Sequence, residues 1–291
     1  MVKGRIIKGV GGKYTVRTPD GDLLCHAKGI LRHRNIKPLV GDYVLAELLG
    51  DEDGVANIHE ILPRKNELIR PASANVDGAI IEIAVKDPAP SLNLLDRFLI
   101  LMEEQGVKVD ICVNKVDIDT DNVCDMIASI YRPIGYDVIP VSTYTLEGID
   151  RIKQIVRGRT TVWAGPSGAG KSSLINCLEP ESCMETGEIS EKIKRGKNTT
   201  RHAQLLCCPD DTYVLDTPGF SSIDLPECEA ADIGGYFHEF AKHTGQCRFG
   251  DCVHVDETDC GVKSHVGKEV SRQRYDNYVL FYNELKNKKR Y

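Results

Sequence analysis

The sequence predicts an α/β protein in three parts. A largely parallel sheet with helices on both faces is preceded by a small antiparallel β-barrel and followed by a compact, partly helical module. Three observations predict it. The first 65 or so residues are short strand-like runs cut by turn signals. From about residue 76, apolar strand runs alternate with helical patterns. From about residue 228 the chain is polar and rich in Cys and His, then helical and basic to its end. The expected boundaries are 1–66, 67–226 and 227–291.

In the first part, residues 5–10, 13–18, 23–27 and 43–47 read as strands. Gly11-Gly12, Pro19-Asp20-Gly21-Asp22 and the stretch from Pro38 to Gly41-Asp42 supply the turns. OB-folds, which often bind oligonucleotides, belong to this barrel class. In the second part, residues 79–85, 107–113, 137–141, 160–164 and 213–215 read as strands. Residues 92–105, 123–131, 148–156 and 171–178 read as helices; the first carries Leu94, Leu95, Phe98, Leu99 and Met102 on one face. Strands alternating with helices require a parallel sheet covered on both sides.

Composition narrows the class. The chain has 291 residues, 41% hydrophobic and 27% charged, which excludes a mostly disordered chain, collagen and a coiled coil. Its longest apolar stretches, such as residues 98–102, fall far short of the ~20 needed to span a bilayer. The first residues lack the apolar core of a signal peptide, so a cytoplasmic protein is expected. Eleven cysteines, most of them scattered singly through apolar segments, do not make a secreted disulfide scaffold. The net charge of −6 is uneven. Residues 1–38 carry nine Lys/Arg against two Asp, and residues 263–291 carry eight Lys/Arg against three Asp/Glu, on a strongly acidic middle. Basic ends point to a polyanionic partner.

Four local patterns carry chemistry. Gly165, Pro166, Ser167, Gly168, Ala169, Gly170, Lys171 and Ser172 match G-x-x-x-x-G-K-[ST] between a predicted strand and a predicted helix. Its glycines let backbone N–H groups turn inward on phosphate oxygens, and the helix N-terminus adds its positive dipole end. Lys171 is expected on the β- and γ-phosphates and the Ser172 hydroxyl on Mg²⁺, with Ser173 beside it. Asn114, Lys115, Val116 and Asp117 close the strand at 107–113. A carboxylate at 117 can accept from both N1–H and N2–H₂ of guanine, so the nucleotide is expected to be GTP or GDP. Asp216-Thr-Pro-Gly219 ends the last strand, with Asp216 placed to hold Mg²⁺ and Gly219 to contact the γ-phosphate. Between them, the basic segment 195–202 reads as a switch, with Thr200 for the metal and Thr199 as the near alternative. Ser142 and Thr143 are candidates for backbone contacts to the guanine O6. In Ras-like proteins a Gln follows D-x-x-G; here Phe220 stands there and cannot orient a water.

The order of these patterns is itself informative. N-K-V-D precedes the P-loop, which precedes the Thr switch and D-T-P-G, a circular permutation of the usual GTPase order. The segment after D-T-P-G then leads into the C-terminal part. There Cys247, Cys252, His254 and Cys260 form a Cys₃His set, the composition of a closed, structural zinc site. His238, His243 and His265 are read as non-ligands.

The permuted order, the N-terminal β part, the P-loop run G-P-S-G-A-G-K-S-S-L-I-N, G-K-N-T-T-R-H and C-x4-C-x-H-x5-C together resemble the RsgA (YjeQ/YloQ) family of small-ribosomal-subunit biogenesis GTPases over essentially the whole chain. The resemblance implies an OB-fold, a permuted GTPase domain and a zinc module. It also implies a GTPase stimulated by the small (30S) subunit and acting late in its maturation, with rRNA as the partner of the basic ends. Family members commonly carry His just before the Thr-Thr pair, and this chain has Asn198; Asn198 and His202 are the two candidates for positioning the attacking water. The expected protein is a monomer that binds neither membrane nor DNA. The alternative is a GTP-regulated module acting on another RNA or a translation component.

Overall fold

The computed structural model describes residues 1–28, 36–48, 55–178, 204–216 and 223–288. Strands β1 (Val2–Val10), β2 (Lys13–Thr18), β3 (Gly21–Ala27), β4 (Tyr43–Leu48) and β5 (Val55–Ile61) close on themselves. β1 pairs with both β2 and β4, β3 runs parallel to β5, and β5 returns antiparallel to β4, giving the circuit 1-2-3-5-4. Alternate residues fill the barrel: Ile6, Val16, Cys25, Val44, Ala46, Ala56 and Ile58 are fully buried. The strand pattern singles out β1 to β4 but not β5. That strand buries only Ala56 and Ile58, one of them small, so its alternation is faint.

A short hairpin, β6 (Glu67–Leu68) and β7 (Ser73–Ala74), leads to the main sheet. This contains β8 (Gly78–Ala84), β9 (Val109–Asn114), β10 (Asp137–Pro140), β11 (Thr160–Ala164), β12 (Gln204–Cys208) and β13 (Thr212–Asp216) in the order β10-β9-β8-β11-β13-β12. The first five are parallel, as the alternation of strands and helices predicts. β12 is antiparallel to β13, and its Gln204 pairs with Lys8 of β1 to join sheet and barrel.

The pleat sorts the sheet's side chains onto two faces. Ile81, Ile83, Ile111, Val113 and Val162 pack with helices α1 (Leu92–Glu104) and α2 (Val123–Tyr131). Ile80, Cys112, Trp163 and Val214 pack with α3 (Ile149–Val156) and α4 (Lys171–Leu178). Helix starts follow local chemistry: the Ser91 hydroxyl accepts from the Leu94 N–H, and the Asp119 carboxylate accepts from the Val123 and Cys124 N–H groups.

The C-terminal part opens with 3₁₀ turns at Ala230–Tyr236, His238–Phe240 and Thr244–Gln246, then α5 (Gly261–Ser264) and the long α6 (Arg272–Asn287). Phe237, Phe240, Tyr278 and Phe281 form its core with Ile100 of α1. Each buried aromatic ring of this kind contributes roughly 1.5–3 kcal/mol. The contact with α1 is reinforced by a buried charge cluster. Arg274 donates to Asp96 at 2.5 Å and to Glu239 at 2.6 Å, while Asn277 and Tyr131 donate to Asp96 at 2.6 and 2.8 Å.

Two of the Lys/Arg residues in the basic ends are buried. Arg5 is 4% exposed, donates to the carbonyls of Gly41 and Asn75, and lies over the rings of Tyr43 and Tyr213. Arg274 is 2% exposed.

Candidate nucleotide and metal sites

Because β8, β9, β10, β11 and β13 run parallel, their carboxyl ends open along one edge. Asn114 ends β9, Ser142 and Thr143 follow β10, Gly165 follows β11, and the backbone of Asp216 ends β13 opposite Trp163. Ligands of open α/β sheets occupy this kind of edge.

The loop after β11 is shaped by close approach. Gly165 has φ +153°, and a Cβ there would lie 2.1 Å from the Glu82 carbonyl oxygen. Gly170 has φ +120°, and a Cβ there would lie 2.2 Å from Asn114 Nδ2. Lys171 Nζ donates to the carbonyls of Gly165 and Pro166 at 2.8 and 2.9 Å, so the ammonium is curled over the loop it starts from. Ser167, Gly168, Ser172 and Ser173 are exposed, Ala169 is buried, and Ser172 and Ser173 stand in the first turn of α4. An exposed hydroxyl at that point is a hard oxygen donor, which fits Mg²⁺.

Asn114 joins this loop to the one after β9. It is fully buried, its Nδ2 donates to Glu82 Oε1 at 2.8 Å and to the Ala169 carbonyl at 3.3 Å, and its Oδ1 accepts from the Lys115 N–H at 2.7 Å. Lys115 has φ +64°, and its ammonium reaches the Asp87 carbonyl. The Val116 N–H donates to the Val141 carbonyl. Asp117 is exposed and accepts from the Ser142 hydroxyl at 2.6 Å; that hydroxyl itself accepts from the Tyr144 and Thr145 N–H groups. The result is an exposed carboxylate of fixed orientation, suited to a paired donor such as a guanine edge. Thr143 is half-buried beside it. The side chain of Ser142 thus has a role that the sequence reading did not assign to it, holding Asp117.

Glu82 belongs to none of the sequence motifs. It lies fully buried in β8, between Asn114 Nδ2 and Trp163 Nε1, which donate to its two oxygens at 2.8 and 3.2 Å. Burial pushes its carboxyl up to about 7, against the pull of the Asn114 bond and the Lys171 charge. The signal was present as a lone acid inside the apolar run G-A-I-I-E-I-A.

The other predicted residues of this site, Asn198, Thr199, Thr200, His202 and Gly219, lie outside the described residues, as does Phe220.

The Cys₃His set converges. The ligand atoms of Cys247, Cys252, His254 and Cys260 all lie within 4.8 Å of one another. His254 Nδ1 is 3.5, 3.3 and 3.3 Å from the three sulfurs in chain order, and the Cys247 and Cys260 sulfurs are 3.9 Å apart. These separations are the edges of a tetrahedron with Zn–S near 2.3 Å, and far too long for a disulfide. The quartet therefore fits zinc. The Tyr275 hydroxyl donates to the His254 carbonyl at 2.8 Å, and Tyr278 donates to the Val253 carbonyl, so α6 braces the ligand loop. Burial pushes the Cys260 thiol up and the His254 imidazole down, which a bound cation would reverse for the thiols. The other histidines stand apart. His238 stacks on Tyr136 near Glu103, and His243 stacks on His265.

A P-loop behind a central parallel strand, with the N-K-V-D strand earlier in the chain, defines a P-loop protein of permuted element order. The chain belongs to the RsgA GTPase family. It matches the family model described as RsgA GTPase over residues 61–226 and that described as RsgA N-terminal domain over residues 3–56. It is 51% identical to the small ribosomal subunit biogenesis GTPase RsgA of Agathobacter rectalis and 42% identical to that of Alkaliphilus metalliredigens, over 99–100% of both chains in each case. It is also similar to the crystal structure of YjeQ from Thermotoga maritima, with a TM-score of 0.81 at 35% identity over 99% of each chain. YloQ, described as a circularly permuted GTPase, gives 0.76 at 38% identity, over 100% of this chain and 97% of that one. Among the described residues, no helix is long and apolar enough to cross a membrane.

Proposed function

We propose that this chain is a Mg²⁺-dependent GTPase that assists maturation of the small ribosomal subunit, binding it with GTP and leaving it after hydrolysis. The observation that carries the reading is the joining of the two nucleotide loops through Asn114, in a chain whose relatives are named small ribosomal subunit biogenesis GTPases. The family implies GTP as substrate, with water adding to the γ-phosphorus and GDP and phosphate leaving.

Asp117, oriented by Ser142, accepts from the guanine donors, while the Lys115 stem covers the base plane and Val116 keeps the turn. Ser142 and Thr143 line the O6 side. Residues 165–170 wrap the phosphates with backbone N–H groups. Lys171 leaves the carbonyls of Gly165 and Pro166 for the β- and γ-phosphate oxygens, exchanging neutral acceptors for charged ones. Ser172 and Thr200, with Asp216 nearby, would hold Mg²⁺, whose charge draws the phosphate oxygens into position. Ser173, Thr199 and Gly219 complete the phosphate shell. Asn198 or His202 orients the water. With Phe220 in place of a Gln, intrinsic turnover is slow.

Three units divide the work: 1–66 as an RNA-binding barrel, 67–226 as the GTPase domain, and 227–291 as a zinc module with a basic helix. The barrel and the module contact rRNA phosphates, making binding salt-sensitive. The protein works in the cytoplasm as a monomer.

The test is GTP hydrolysis with and without purified small subunits, with Asn198→His alongside. Strong stimulation of the wild type is expected, and a further gain in Asn198→His would identify position 198 as limiting. No stimulation of either protein would overturn the ribosomal reading.

A further inference from the structure

Glu82 is an anomaly in an otherwise apolar strand. β8 buries Ala79, Ile80, Ile81, Ile83 and Ala84 around it, and an aliphatic residue at 82 would continue that packing. Instead the carboxyl faces the same side as Trp163 and Asn114, between the sheet and the P-loop. Its Oε1 lies 2.9 Å from where a Cβ on Gly170 would stand, and its backbone oxygen is the atom that excludes a Cβ at Gly165. The first and last glycines of the P-loop therefore both close down on this one residue.

We propose that Glu82 is a positioning residue of the guanine-nucleotide site: its buried carboxylate fixes the Asn114 carboxamide so that base loop and phosphate loop are held as one unit. This rests on the guanine-nucleotide reading of the site. The geometry is specific to a carboxylate. Both near partners, Asn114 Nδ2 and Trp163 Nε1, are donors, and an ionised carboxyl accepts from both. With Nδ2 so engaged, the same amide also donates to the Ala169 carbonyl while its Oδ1 holds the Lys115 N–H.

The groups around it are of mixed sign. Lys171 of α4 and Lys115 after β9 favour the ionised form, burial opposes it, and the Cys112 thiol opposite on β9 is itself pushed far up by burial and stays neutral. The balance leaves the carboxyl titrating at about 7. A buried acid so placed opposes folding at neutral pH, and perturbed acids of this kind gather where a ligand is handled.

The experiment uses the full chain and the fluorescent nucleotide mant-GDP with Mg²⁺. Wild type, Glu82→Val and Glu82→Gln are compared for mant-GDP affinity, thermal midpoint, and emission of Trp163, the single tryptophan, across neutral pH. Glu82→Val is expected to bind about tenfold more weakly or worse, at an unchanged or higher thermal midpoint. Glu82→Gln keeps one acceptor for Asn114 and recovers part of the affinity. Trp163 emission titrates near pH 7 in the wild type and is flat in Glu82→Gln.

Wild-type affinity in a folded Glu82→Val overturns the inference. So does weaker binding that only tracks a lower midpoint in both variants, which marks a structural role. If Glu82→Val does not fold, Glu82→Gln decides: it must bind more weakly than wild type without loss of stability. A wild type that binds no mant-GDP overturns the guanine reading and this inference with it, whereas binding that ignores residue 82 overturns this inference alone.

Discussion

The C-terminal module and the nucleotide edge both bury ionisable groups, and they treat them in opposite ways. In the module two clusters close on matched partners. Arg274 spans Asp96 and Glu239, with Asn277 and Tyr131 completing Asp96, and three cysteines and His254 close on a common point. At the nucleotide edge Glu82 rests on an amide and an indole, and Lys171 rests on two carbonyls. The first arrangement is complete without a mobile ligand and fastens the module to α1. The second leaves the Lys171 ammonium on two carbonyls from which a polyanionic ligand can draw it. Closed compensation marks structure, and open compensation marks a site at work.

The comparison is broken most directly at the zinc quartet. Cys260→Ser should reduce bound zinc from one per chain to near none by elemental analysis and make residues 227–288 sensitive to protease. Structural zinc contributes on the order of 10 kcal/mol in small modules, so this is the largest effect. Retained zinc with an unchanged digest would remove the metal from the account. Arg274→Met comes next. It leaves Asp96 and Glu239 buried without their partner, for a loss of about 3–5 kcal/mol in chemical denaturation. Guanine-nucleotide affinity should be unmoved at temperatures where the variant is folded.

On the open side the pattern reverses. Asp117→Asn removes an exposed carboxylate, so stability should hold while GDP affinity falls on the order of 100-fold, and xanthosine diphosphate binding should appear. A parallel fall in thermal midpoint would contradict the separation of the two regions. The smallest effect is a pH dependence. The folded-state value of Glu82 is raised from 4.5 to about 7, so the stability that its neutral form contributes is fully present below about pH 4.5 and is lost as pH rises through 7. Glu82→Gln should remove on the order of 2–3 kcal/mol of that decline, read as a flatter plot of denaturation midpoint against pH between about 5 and 8.

Much of this was legible in the sequence where the signal is local. The helices at 123–131 and 171–178 and the strand at 160–164 occur at the predicted residues, because amphipathic period and flanking turns set them. The P-loop, N-K-V-D and Cys₃His spacings are likewise short-range. What the sequence hid depends on pairing at a distance. β12 exists as a strand only because β13 and β1 flank it on its two sides. Glu82 matters because β8 lies between β9 and β11, bringing Asn114 and Trp163 to its two oxygens. Charge counting included Arg5 and Arg274 among the basic ends, whereas the fold uses both inside. Arg5 lies over rings from the barrel and from β13, and Arg274 links α6 to α1. Composition records a charge but not the partner that lets it be buried.

The proposed control of small-subunit attachment by nucleotide state is tested by co-sedimentation of the wild-type chain with purified small subunits in a non-hydrolysable GTP analogue and in GDP. Retention with the analogue and release with GDP are expected. Equal retention in both would contradict it, because a ligand that binds two states equally shifts no equilibrium between them.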